Sequence, residues 1–235
     1  MPMKSCVYIH TNERQWLGAL LSRYSLQRNS AHADEFDIEF IHVKDHPFLA
    51  AKEGQPFLRG GVTREWHMDD LQSFTPLRFM PPELMGYTGR AIVIDPDVFA
   101  VGDVYELLTR DMQGKAVMGR RRSEKQKKAH CVATSVLLMD CAKLAHWHCQ
   151  QEFEELFRFE RDYKEWMCLS HESPDNIGYF EPEWNDFDRL TDQTRMLHNT
   201  KRRTQPWKTG LPIDYRPADS FRVFPPRHWL RRARR

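Results

Sequence analysis

What the chain lacks narrows it first. None of its apolar stretches, Cys131 to Met139 among the longest, approaches the roughly 18 residues a membrane span requires, so a soluble protein is expected. Lys4 stands near the start, but no long apolar segment or small-residue cleavage site follows it. Nothing there marks the chain for secretion, and a cytoplasmic home is expected. The five cysteines, at 6, 131, 141, 149 and 168, are odd in number and unclustered. They lack the CxxC spacing of a zinc knuckle and read as buried reduced thiols. Residues 221–235 contain no acid at all while holding six of the 35 Lys and Arg, which leaves 29 basic against 33 acidic residues in 1–220. A mildly acidic body argues against a general nucleic-acid binder, which would spread its cations over one face of the fold.

What is present suits one α/β domain over 1–220 with a basic, aromatic tail over 221–235. At 235 residues and 40% apolar content the chain can bury a sizeable core, and a second full domain is not expected. Cys6 to Ile9 reads as a short strand, followed by Trp16, Leu17, Leu20, Leu21 and Tyr24 at helical spacing. Phe36 to Val43 reads as a second strand. Lys44 to Asp70 is polar and non-periodic, a long loop of the kind that often carries function. Leu71 to Leu84 reads as a helix broken at Pro81-Pro82, because proline removes a backbone donor. Further strands are expected at Ala91 to Ile94, Ala116 to Gly119, Val136 to Met139, Ile177 to Phe180 and Met196 to His198. A short helix is expected from Val104, capped by Asp103, and a longer one from about Cys141 to Phe159. This alternation points to an α/β sheet flanked by helices.

Ala91 to Ile94 is a continuous apolar run stopped by Asp95-Pro96-Asp97, so both acids stand at the carboxyl end of a buried strand, where open α/β sheets bind ligands. Carboxylates at i and i+2 on extended chain project the same way and can share one hard cation, magnesium or manganese. Such a cation bridging a diphosphate neutralises charge on a leaving nucleotide. A bare pair of this kind also occurs in ordinary turns and helix caps.

Four segments add to it: GRAIVIDPDVFAVGDVYEL (89–107), ATSVLLMDCAKL (133–144), IGYFEPEWNDFD (177–188) and MLHNTKRRTQPWKTG (196–210). Taken in order they resemble glycosyltransferase family 8, whose members have the GT-A fold, a Rossmann-like mixed sheet flanked by helices in one domain. The resemblance covers most of the chain. It implies a retaining, metal-dependent transfer of a hexose from a nucleotide diphosphate sugar, UDP-linked, to a hydroxyl acceptor. It implies that Asp95, Asp97 and His198 hold Mn2+ or Mg2+, that His10, Thr11 and Asn12 meet the base and ribose, and that Arg90 approaches the nucleotide-sugar. Thr11 and Asn12 equally suit a cap for the helix that follows. Where the family carries Asn and a small residue this chain has Thr134-Ser135, and where it carries Asp-Gln this chain has Asp162-Tyr163. These residues would face the transferred sugar, with Asp162 as the catalytic carboxylate. Gln205 replaces the usual lysine before Pro206-Trp207, which leaves Lys201, Arg202 or Arg203 to meet the diphosphate. Trp184 and Asn185 read as packing and loop-fixing residues near the acceptor site, and Trp207 as packing under the phosphate loop.

The basic stretch 120–130 reads either as a solvated loop or as a lid. In 221–235, six arginines interleaved with Phe221, Phe224, Trp229 and Leu230 fit a peripheral contact with the anionic inner face of a membrane, or aromatics packed back on the domain. The competing readings are a catalytically silent nucleotide-sugar binder, a nucleotidyltransferase, disfavoured because His10 to Gln15 lacks glycine, and a module for anionic surfaces or RNA.

Overall fold

The computed structural model describes residues 5–70, 73–122, 131–201, 205 and 207. Among the described residues, eleven strands run in chain order: β1 (Ser5–Thr11), β2 (Asp37–His42), β3 (Pro56–Leu58), β4 (Thr63–Glu65), β5 (Arg90–Ile94), β6 (Val98–Ala100), β7 (Val117–Arg121), β8 (Val132–Asp140), β9 (Ile177–Phe180), β10 (Asp186–Phe187) and β11 (Met196–His198). The α-helices are α1 (Trp16–Asn29), α2 (Pro47–Ala50), α3 (Pro81–Leu84), α4 (Tyr105–Leu108), α5 (Cys149–Phe157) and α6 (Tyr163–Trp166). The main sheet has six strands in the order β2-β1-β5-β8-β7-β9. β5 is parallel to β1 and antiparallel to β8, so the sheet is mixed.

Alternation along the central strands buries both faces. Cys6 and Tyr8 of β1 with Ala91 and Val93 of β5 join one core, which also holds Phe79, Trp147 and Phe153. Val7 and Ile9 with Ile92 and Ile94 join the other, with Ala19, Leu26, Leu107 and Trp184. Burial on both sides is why these strands read as unbroken apolar runs.

Several expectations are corrected. The segment 44–70 is not structureless: it holds α2 and the β3–β4 hairpin. The helix expected over 141–159 is a 3-10 turn at Cys141–Leu144 followed by the shorter α5. Leu17, Leu20 and Leu21 of α1 point outward, and its buried side is Gly18, Ala19, Ser22 and Leu26. Cys131 and Cys168 form a disulfide, and the remaining cysteines, 6, 141 and 149, are buried free thiols. A stable disulfide is uncommon in a reducing cytosol, so the cytoplasmic expectation loses the support that five reduced thiols would have lent it. No helix among the described residues is long and apolar enough to cross a membrane. Most of the basic stretch (123–130) and all of the tail (221–235) lie outside the described residues.

Candidate active site

β5 ends at Ile94, and the chain turns through Asp95, Pro96 and Asp97 into β6. The Asp95 N–H donates to the Ser135 carbonyl at 3.0 Å, and the Val98 N–H closes the turn onto the Asp95 carbonyl at 3.1 Å. β11 runs antiparallel to β6 with His198 opposite Val98, which sets the imidazole beside the acids. Asp95, Asp97 and His198 each offer a ligand atom, and these atoms lie within 4.8 Å of one another.

His198 is held by its other nitrogen. Asn185, fully buried, donates its amide to Ser135 Oγ at 2.9 Å, which turns its carbonyl oxygen toward His198 Nδ1 at 3.0 Å. The ring proton therefore sits on Nδ1, and the Nε2 lone pair faces Asp97 Oδ1 at 3.4 Å. An outer hydrogen bond of this kind is the usual way a metal-ligating histidine is oriented. A cation about 2.0–2.2 Å from two neighbouring ligand atoms spaces them roughly 3–3.5 Å apart. The pair thus fits a shared ion, and two carboxylates with one imidazole suit manganese or magnesium better than a soft metal. Arg120 fixes the same loop from outside, donating to the Asn185 carbonyl at 2.5 Å while stacking over Phe187.

Asp95 has partners absent from the sequence reading. Arg78, in the 3-10 turn Thr75–Phe79, donates Nε to Asp95 Oδ1 at 2.9 Å and Nη2 to Oδ2 at 2.5 Å. Its Nη1 reaches Thr134 Oγ at 3.1 Å, and Thr134 in turn donates to the Met167 carbonyl at 3.0 Å. His10 Nε2 lies 2.7 Å from Asp95 Oδ1. Burial alone would raise the Asp95 carboxyl, but the Arg78 guanidinium and then His10 outweigh it and hold the group well below the usual range. Asp95 is ionised at neutral pH. Burial lowers His10, more than Asp95 raises it, so that ring is neutral. Oδ1 thus meets two partners and Oδ2 one, which leaves Oδ2 the oxygen with a lone pair to spare for a cation. A fork-to-carboxylate pair of this kind fixes orientation as well as charge. The sequence signal for Arg78 is faint: a lone cation inside the apolar run PLRFMPP, where burial demands a partner.

Other expected residues fall in different places. Thr11 is buried at the end of β1, and Asn12 caps the turn that follows by accepting from Gln15 N at 3.0 Å. Gln205 is brought in, donating to Asp97 Oδ2 at 2.9 Å and to the Asn199 carbonyl at 2.6 Å. Arg90 is not: it opens β5 at the strand's opposite end, where its guanidinium binds the Leu108 and Arg110 carbonyls. Five steps along the strand separate it from Asp95, about 16 Å. Asp162 caps α6, with Oδ1 accepting from Lys164 N and Glu165 N and Oδ2 from Gly61 N. Lys201 is exposed, its N–H donating to Asp188. Arg202 and Arg203 lie outside the described residues. Trp184 is buried in the core, and Trp207 packs edge-on against Phe99.

No family model and no curated protein sequence matches the chain. Solved structures do. The glycosyltransferase GlyE of Streptococcus pneumoniae superposes with TM-score 0.58 at 15% identity, over 83% of this chain and 54% of that one. The galactosyltransferase LgtC, solved with donor and acceptor sugar analogs, superposes with TM-score 0.54 at 15% identity, over 83% of this chain and 87% of its own. The bifunctional glycosyltransferase WbbM gives TM-score 0.55 at 12% identity, over 85% of this chain and 46% of that one. The chain thus spans about half the length of GlyE and most of LgtC. The mixed six-stranded sheet with its flanking helices is the GT-A-type fold of these glycosyltransferases, in a single domain.

Proposed function

We propose that the protein is a metal-dependent glycosyltransferase that moves a hexose from a nucleotide diphosphate sugar, UDP-linked, to a hydroxyl acceptor with retention of configuration. The observation that carries this reading is the Asp95, Asp97 and His198 cluster at the carboxyl end of a central strand in a GT-A-type sheet. Manganese or magnesium held there would offset the charge that develops on the departing diphosphate. The protein's own part is preorganisation. Arg78 and His10 pin Asp95, Asn185 sets the tautomer of His198, and Gln205 holds Asp97, so the ligand set needs little rearrangement when the donor arrives. His10, Thr11 and Asn12 are assigned to the base and ribose, Thr134 and Ser135 to the sugar, and Lys201, Arg202 and Arg203 to the diphosphate. Asp162 is assigned to the reacting sugar, and a basic aromatic tail over 221–235 to an anionic membrane surface.

The test is calorimetry of UDP and of a panel of nucleotide-sugars, with and without manganese, followed by assays of donor hydrolysis. Wild-type protein should bind at least one donor more tightly with manganese, and Asp97→Ala should lose that increment while staying folded. Equal affinity in both proteins, whatever the metal, would sink the site. Donor binding with no turnover would instead make the protein a silent binder.

A further inference from the structure

α1 is built inside out relative to a typical surface helix. Its buried side is made of Gly18, Ala19 and Ser22 with Leu26. Small residues are required there, because a Cβ on Gly18 would lie 2.7 Å from the Pro96 carbonyl oxygen. The large apolar residues are displaced outward: Leu17, Leu20, Leu21 and Tyr24 are 44, 41, 37 and 58% exposed. They recur at i, i+3, i+4 and i+7 and so form one continuous stripe. Single exposed leucines are ordinary, but four large apolar side chains in register along one helix are the pattern of an interaction surface.

The charges around the stripe say what it meets. Arg14, Arg23 and Arg28 flank it and are exposed, and residues 14–29 contain no Asp or Glu. Arg23 lies over the Phe40 ring, and among the described residues neither Arg23 nor Arg28 pairs with a carboxylate. A second copy packed on the same face would bring arginine toward arginine. An anionic, laterally fluid surface suits both features at once, since the apolar side chains enter the acyl boundary and the guanidiniums stay among the headgroups. The location is consistent with use: the N-terminal turn of α1 follows His10, Thr11 and Asn12, and its Gly18 lies against the Asp95-Pro96-Asp97 turn. Trp207, the last described residue, also lies beside Gly18, and the remaining sequence carries the six arginines of 221–235.

We propose that the outer face of α1, Leu17, Leu20, Leu21 and Tyr24 bordered by Arg14, Arg23 and Arg28, is a docking surface for an anionic lipid bilayer. It would seat the chain on the membrane through α1, whose opposite, buried side carries Gly18 against the Asp95-Pro96-Asp97 turn. The proposal does not depend on which reaction the acid pair performs.

Co-sedimentation of the full chain with vesicles tests it. Wild-type protein should pellet with phosphatidylcholine vesicles that contain phosphatidylglycerol, not with phosphatidylcholine alone, and should be released by high salt. Leu17→Ser/Leu20→Ser/Leu21→Ser should lower the partition coefficient at least tenfold with an unchanged melting temperature, although 221–235 is intact. Arg23→Gln/Arg28→Gln, which keeps every apolar side chain, should weaken binding several-fold and flatten its salt dependence. Wild-type partitioning in both variants would overturn the proposal and leave any lipid affinity to 221–235. So would light scattering in which wild type is a dimer and the leucine variant a monomer, since the face would then be a subunit interface. If the leucine variant fails to fold, the arginine variant decides alone.

Discussion

At the residue scale, the two carboxylates were legible because their position is dictated locally: an apolar strand must stop somewhere, and Asp95-Pro96-Asp97 stops it. Their supports were not, because Arg78, Asn185 and Gln205 reach the site only through the tertiary fold. Arg90 illustrates the opposite failure, an arginine beside the right strand but at its wrong end. Asp162 is the residue where structure and function are easiest to confuse, since it caps α6 and ties Gly61. Asparagine caps a helix about as well as aspartate, so Asp162→Asn removes the charge at a cost of about 1 kcal/mol for the Gly61 contact. We expect its transfer rate to fall by two orders of magnitude or more with the melting temperature nearly unchanged; a near wild-type rate would make Asp162 a structural residue. Glu152 gives a stability prediction away from the site. Burial pushes its carboxyl up to about 6, against the pull of Arg161 and of the Trp166 indole N–H. A raised carboxyl favours the fold at low pH and loses that contribution as pH climbs from the unfolded value through about 6. Glu152→Gln never ionises, so its advantage over wild type should be near zero at pH 4 and reach about 2 kcal/mol at pH 8. Urea titrations at the two pH values measure it, and equal differences at both would refute the assignment.

At the element scale, the strands were easier to anticipate than the helices. β9 and β11 fall where the sequence placed them, and β5 differs by one residue. The helices were harder because periodicity marks a stripe without saying which way it faces. In α1 the apolar repeat is real, yet the sheet side is chosen by size: only glycine and small residues allow the helix to approach Pro96. This inverts the usual expectation for Gly18→Ala. By helix propensity alone, alanine should stabilise a helix interior by up to about 1 kcal/mol. Here the new Cβ would meet a backbone oxygen at 2.7 Å, and backbone cannot rotate away as a side-chain tip can. The substitution should therefore cost about 1–3 kcal/mol. Because Pro96 lies between the two acids, it should also weaken manganese binding measured by calorimetry. A more stable Gly18→Ala protein with unchanged metal affinity would show that α1 does not abut the turn.

At the scale of the whole molecule, the site is a place where distant chain meets. Asp95 and Asp97 arrive on the β5–β6 turn and His198 on β11, about a hundred residues later. β6 and β11 pair at three positions, and just beyond them the Asn199 N–H donates to the Asp97 carbonyl and the Val101 and Gly102 N–H groups donate to the Arg195 carbonyl. Alternating patterns point to an α/β sheet and the family resemblance adds its mixed character, but strand order cannot be read from either. The smaller sheet β10-β11-β6, which delivers the histidine, is built from strands of two or three residues, of which β11 is expected from the sequence whereas β6 and β10 leave almost no periodic signal. An ion bound by Asp95, Asp97 and His198 would therefore act as a cross-link between two parts of the chain, and an unfolded chain would offer no comparable site. Its binding energy then adds to folding stability. At manganese concentrations near 100 times the dissociation constant the gain is about 2.7 kcal/mol, or roughly 5–10 °C in melting temperature for a domain of this size. Melting curves of full-length protein across a manganese series should rise in that way and return to baseline with a chelator. Asp97→Ala and His198→Ala should each start from a folded, measurable baseline and show no manganese dependence. If wild type and both variants respond alike, the ion stabilises through general surface acids, and the three residues do not form one site.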